Sequence, residues 1–176
     1  MNELVRVLVV DDSAYVRKVV GQMLGRSPFV EVVGTARDGQ EALELAAELN
    51  PDVITCDLNM PGMDGVAFVQ AQMARRPIPI VIISVVNGVS EQVLAALDAG
   101  AIEFLQKPTA LASDRLLEVA DELIEKVKTA ASVPMNRALP VAAARTPLQM
   151  PRKASASAID IVVIGVSRCA ERSINA

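Results

Sequence analysis

Val53-Ile54-Thr55-Cys56-Asp57-Leu58-Asn59-Met60-Pro61-Gly62-Met63-Asp64-Gly65 holds a strand, a loop and the start of a helix in one short run. Val53 to Cys56 is apolar and β-branched, the composition of a buried strand. Pro61 and Gly62 enforce a turn, and Asp64 can cap a helix from Gly65. The same alternation extends on both sides, from Val5 to about Lys128. Strands are expected at Val5–Val10, Val30–Thr35, Ile80–Ser84 and Glu103–Gln106, separated by segments of helical period. Most of these strand runs are largely apolar, as strands covered by helices on both faces should be. Ala42, Leu45, Ala46 and Leu49 fall on one helix face before Asn50-Pro51 stops it. Leu116, Ala120, Leu123 and Val127 do the same in the last helix, and Gly100 closes the helix before it. Five βα units predict an α/β fold with a doubly wound, five-stranded parallel sheet.

Composition changes after this block. The chain has 176 residues and a formal charge of −4. Residues 1–131, read as one domain, carry 11 basic and 19 acidic residues. Residues 132–158 carry four basic residues, no acid, and prolines at 134, 140, 147 and 151, and read as a semi-extended linker. Residues 159–176 offer one further strand, Ile159 to Ile164, and are too short for a core of their own. They read as the opening of a second domain. The net acidity argues against a nucleic-acid or anionic-membrane surface over the whole molecule. The apolar run Val7 to Val10 is too short for a signal-peptide core or a membrane span, so no membrane insertion is expected. Cys56 and Cys169 show no paired spacing, so a reducing, cytoplasmic compartment is expected. The chain has no histidine, so no Ser-His-Asp group, His-ligated zinc or phosphohistidine can be assembled from it alone.

In open parallel sheets, ligands collect outside the carboxyl ends of the strands. Those positions are Asp11 and Asp12, Asp57, Ser84, and Lys107. Taken singly, each has an ordinary explanation as a cap, a strand-end hydroxyl or an exposed charge. Taken together they bring three carboxylates to one mouth opposite one lysine, a crowding of like charge that a hard cation such as Mg²⁺ would neutralise. Asp57 then becomes a candidate nucleophile toward phosphorus, with Lys107 and Ser84 positioned to meet phosphoryl oxygens and Asn59 the natural backbone carbonyl donor to the ion.

The ordered set Leu8 to Ser13, Asp38 to Leu43, Asp57 to Gly65, Ser84, and Gly100 to Pro108 resembles the receiver domain of bacterial two-component response regulators. The resemblance implies a flavodoxin-like sheet of strand order 2-1-3-4-5. It implies that Asp57 takes a phosphoryl group from a partner sensor histidine kinase, and that Asp12, Asp57 and the Asn59 carbonyl bind Mg²⁺ with Asp11 assisting. It further implies that Lys107 and Ser84 contact the phosphoryl group, and that Ser84 and Phe104 move together as a switch. The alternative for Phe104 is a core aromatic.

A finer resemblance, to chemotaxis methylesterase response regulators, rests on Arg76 to Val81, Lys107-Pro108-Thr109, the Pro- and Arg-containing tether, and Ile161 to Ser167. It places Ser167 at the esterase nucleophile. It also implies that chemoreceptors, or an effector domain of the intact protein, are partners. Arg168-Cys169-Ala170 then replaces the family's Thr-Gly-Gly, and larger side chains there obstruct a tight turn and backbone oxyanion donors. Two accounts of this ending stand: a product cut short by frameshift or divergence, which is favoured, or a genuine shortened regulator. No esterase activity is expected of these residues. A protein-glutamate methylesterase/glutaminase remains the alternative if the intact protein continues, and no helix-turn-helix follows the linker to support DNA binding.

Overall fold

The computed structural model describes residues 4–85, 90–107 and 113–135, with residues 113–116 described by their backbone only. The linker beyond residue 135, the strand expected at Ile159 to Ile164 and Ser167 lie outside the described residues.

Strands and helices alternate: β1 (Val5–Val10), α1 (Ala14–Leu24), β2 (Val30–Ala36), α2 (Gly39–Leu49), β3 (Val53–Cys56), α3 (Gly65–Arg75), β4 (Ile80–Ser84), α4 (Glu91–Asp98), β5 (Glu103–Gln106) and α5 (Ser113–Ala131). All four strand pairs are parallel, in the order β2-β1-β3-β4-β5. Parallel neighbours cannot be joined by a tight hairpin, so each connection crosses a face of the sheet as a helix.

Side chains alternate across each strand and sort the apolar residues onto two faces. Leu8, Val10, Ile54, Cys56, Ile80 and Ile82 pack with Ala42 and Leu43 of α2, Phe68 and Val69 of α3 and Val93 of α4. Val7, Val9, Val53, Val81 and Ile83 pack with Val20 and Leu24 of α1 and with Ala120, Leu123 and Val127 of α5. Because both faces are covered, β3 and β4 are buried at every position, whereas the edge strands β2 and β5 are only partly buried. No helix among the described residues is long and apolar enough to cross a membrane.

Local sequence fixes the helix ends. Ser13, Asp38, Asp64 and Ser90 each accept a backbone N–H of the first turn of α1, α2, α3 and α4, a role worth about 1 kcal/mol at each helix. Asn50 ends α2 in the left-handed region, directly before Pro51. Gly100 follows α4 with φ +115, its N–H donating to the Leu97 carbonyl and the next N–H, of Ala101, to the Ala96 carbonyl. That paired closure needs a residue with positive φ, which explains the glycine.

Thr55 breaks the apolar pattern. It is buried in β3, and its hydroxyl has no hydrogen-bond partner among the described residues. An unpaired buried hydroxyl destabilises, so Thr55→Val is expected to raise stability by about 1 kcal/mol. A higher urea midpoint at unchanged m would record it.

Candidate functional site

The sheet order reverses direction between β1 and β3, which opens a crevice at their carboxyl ends. Val10 is level with Cys56, so the next residues, Asp11 and Asp57, leave the sheet side by side. The ladder continues one step to hold them: Asp57 N–H donates to the Val10 carbonyl at 2.9 Å, and Asp11 N–H to the Ala36 carbonyl at 3.1 Å. On the other side Ser84 is level with Gln106, and the N–H of Lys107 donates to the Ser84 carbonyl at 2.8 Å. Register thus delivers residues far apart in sequence to one edge.

Lys107 reaches back across this edge. Its Nζ lies 2.6 Å from Oδ2 of Asp11 and 3.0 Å from Oδ1 of Asp57, with side chains only 11%, 4% and 5% exposed. The contact with Asp57 is an ion pair, and beyond it Oδ1 of Asp57 is buried with no hydrogen-bond partner among the described residues. Asp11 is better satisfied, since its Oδ1 also accepts the Ser13 N–H at 2.9 Å. Asp12 is exposed. Carboxylate oxygens of Asp11, Asp12 and Asp57 all lie within 4.8 Å of one another.

Burial pushes the Asp57 carboxyl up from its ordinary value. The Lys107 ammonium pulls it down and the neighbouring charge of Asp11 adds to the rise. Burial also pushes the Cys56 thiol up, reinforced by Asp57 and Asp11. Cys56 therefore stays a thiol, and its S–H donates to the Asp57 carbonyl at 3.0 Å. Two carboxylates against one buried ammonium, with a third carboxylate at the rim, leave the cluster short of positive charge. An oxygen-only donor set of this kind suits a hard divalent cation.

The remaining sequence-predicted residues fall as follows. Ser84 is fully buried, and its hydroxyl has no partner among the described residues. Asn59 is exposed in the loop after β3. Phe104 is half-buried, level with Ile82 and packed against the cluster on the α2, α3 and α4 face. Ser167 lies outside the described residues.

Close packing adds two glycines that sequence reasoning did not single out. A Cβ on Gly65 would sit 2.3 Å from the Asp57 carbonyl oxygen and 2.7 Å from the Cα of Leu58, and one on Gly39 would meet Met63 Cγ at 2.7 Å. Neither needs positive φ; what excludes a side chain is the approach of α3 and α2 to the β3–α3 loop. The signal was present as a glycine at the first position of each helix, where other residues are usually preferred. Because backbone cannot move aside as a side-chain tip can, Gly65→Ala is expected to cost about 2–3 kcal/mol. Chemical denaturation would measure it.

The family model of the response regulator receiver domain matches residues 7–121. The chain is 48% identical over 164 residues to protein-glutamate methylesterase/protein-glutamine glutaminase 5 of Myxococcus xanthus, covering 93% of this chain and 47% of that protein. It is 42% identical over 135 residues to protein-glutamate methylesterase/protein-glutamine glutaminase of Pyrococcus horikoshii, covering 76% and 37%. The chain thus spans about half or less of the length of these curated relatives. Among solved structures, the response regulator domain of Thermotoga maritima CheB superposes with a TM-score of 0.69 at 39% identity, over 75% of this chain and 99% of that one. A CheX–CheY–BeF3–Mg²⁺ complex from Borrelia burgdorferi gives 0.59 at 28% identity, over 70% and 87%.

Proposed function

Since the chain belongs to the response regulator receiver domain family, we propose that it is a phosphorylation-switched receiver of chemotaxis-type signalling, with Asp57 accepting a phosphoryl group from a partner histidine kinase. The observation that carries this reading is the convergence of Asp11, Asp12, Asp57 and Lys107 on the β1/β3 crevice. Asp57 offers a buried carboxylate oxygen with no hydrogen-bond partner among the described residues beyond its ion pair with Lys107. It attacks phosphorus, the donor's N–P bond breaks, and the electron pair leaves on the imidazole nitrogen. That imidazole belongs to the partner, because this chain has no histidine.

The carboxylates of Asp11, Asp12 and Asp57, with the backbone carbonyl of Asn59, would hold Mg²⁺. When bound, the ion supplies positive charge that offsets the carboxylates and the phosphoryl oxygens. The complex of the Borrelia neighbour, which names Mg²⁺ and a phosphoryl mimic, supports this reading. Lys107 pairs with one phosphoryl oxygen as a point charge. Ser84, whose hydroxyl has no partner among the described residues, donates to another, and its displacement is coupled to Phe104 on the neighbouring strand. An apolar cavity opens between α1 and α5 beside Lys107, lined by Val16, Val19, Met23, Leu105 and Leu123. It offers the donor domain a seat next to the acceptor.

The names of the curated relatives support a second proposal, for an intact protein that continues beyond these residues. There a methylesterase/glutaminase domain follows, with Ser167 at its nucleophile position, chemoreceptors as substrates, and the unphosphorylated receiver covering the esterase site. The basic linker is then a tether, the setting is the cytoplasm, and neither nucleic acid nor membrane is engaged.

Incubation with a small-molecule phosphodonor, in Mg²⁺ and in EDTA, tests the receiver reading by intact mass and by the resonances around Phe104. A Mg²⁺-dependent adduct is expected, and its absence would overturn the reading. Demethylation of methylated receptor by this chain, lost in Ser167→Ala, would instead show that the esterase resides in these residues.

A further inference from the structure

The turn between β1 and α1 presents two of the three clustered carboxylates, and a side chain from α1 holds that turn. Arg17 is half-buried, and its Nη1 donates to the backbone carbonyl of Asp11 at 2.7 Å and to that of Asp12 at 3.1 Å. The peptide joining Asp12 to Ser13 is therefore gripped at both ends. Its carbonyl is held by Arg17, and its N–H donates to Oδ1 of Asp11 at 2.9 Å. Oδ2 of the same carboxylate is on Lys107. The turn thus has no freedom to rotate either peptide without breaking a charge-assisted hydrogen bond. Asp12, although exposed, is delivered to the point where its oxygen and those of Asp11 and Asp57 converge.

We infer that Arg17 is a positioning residue for the cation site, setting divalent-ion affinity through the backbone of Asp11 and Asp12. The inference rests on the reading of Asp11, Asp12 and Asp57 as that site. It also predicts a sign that simple electrostatics reverses. A guanidinium close to a cation site repels the cation, so removing its charge alone should tighten binding. Losing its grip on the two carbonyls should weaken binding, because the ligands must then be ordered by the ion itself.

Arg17→Met removes the charge and the donors while keeping an unbranched, largely apolar stem. Arg17→Lys keeps the charge, but its side chain is one atom shorter and falls short of the two carbonyls. Calorimetric titration of the full chain with Mg²⁺ is expected to give about tenfold weaker binding in both variants. With a small phosphodonor, both should need more Mg²⁺ for half-maximal rate yet return to the wild-type rate at saturation, a split that general loss of structure would not produce. Unchanged or tighter binding in Arg17→Met, or wild-type affinity in Arg17→Lys, would overturn the inference, and either variant suffices if the other does not fold. A wild-type chain that takes up no Mg²⁺ would instead overturn the cation reading on which the inference rests.

Discussion

Asp57→Asn is expected to abolish covalent phosphorylation and, in the same molecule, to raise the stability of the metal-free chain. The first effect follows from chemistry: an amide is no nucleophile toward phosphorus, Asp11 is already engaged by Ser13 N–H and Lys107, and Asp12 is read as a ligand of the ion at the exposed rim. The second follows from charge. Asp57 is buried beside Asp11 with one ammonium between them, and its carboxyl is pushed up chiefly by burial. A group whose pKa is raised by folding favours the fold below its unfolded pKa, and that contribution is lost as pH rises through the folded pKa. At neutral pH the ionised Asp57 therefore destabilises. Asparagine removes that charge and leaves Lys107 paired with Asp11. The gain should be about 1 kcal/mol, or roughly 4 °C in Tm. It should shrink as pH falls into the carboxylate range, where wild-type Asp57 takes up its proton. Thermal melts of both chains in EDTA across pH would show it; a variant less stable than wild type at neutral pH would contradict this account.

Lys107→Ala is expected to do the opposite to stability. The buried ammonium is within 3.0 Å of Asp57 and 2.6 Å of Asp11. Removing it leaves two buried carboxylates facing each other, and breaking a buried pair of this kind costs about 3 kcal/mol. Added Mg²⁺ should restore part of that loss, and the rise in Tm on adding Mg²⁺ should be larger in the variant than in wild type, because the ion then supplies charge the lysine no longer gives. Phosphorylation from a small donor should slow by about tenfold or more, the worth of one charge-assisted hydrogen bond. Melts and intact-mass time courses with and without Mg²⁺ separate the two effects. Equal Mg²⁺ responses in the two chains would argue that Lys107 and the ion do not share these carboxylates.

Much of this was legible in the residues. The five expected strands fall within a residue of the observed ones, β2 extending one further to Ala36. The stop at Asn50-Pro51 and the closure at Gly100 came from backbone preferences that act locally. Asp11, Asp12, Asp57, Ser84 and Lys107 could be placed at one mouth because a parallel sheet sends every strand's carboxyl end the same way. Arg17 could not, because its side chain binds carbonyls, and a carbonyl has no letter in the sequence. Gly65 and Gly39 escaped for a similar reason, since closeness of backbone to backbone leaves only the absence of a side chain as its trace.

The alternation of strand and helix, the two-faced burial and the chemistry gathered at the carboxyl edge follow from periodicity, turn residues and residue type, all local properties that can be read residue by residue. Which carboxylates share the lysine, the burial of an Asp57 oxygen with no hydrogen-bond partner among the described residues, and the clamp of Arg17 on the turn beside it were set by the folded arrangement. Those outcomes depend on strand register and on competition among neighbours for one ammonium, and such distances exist only once the sheet has closed.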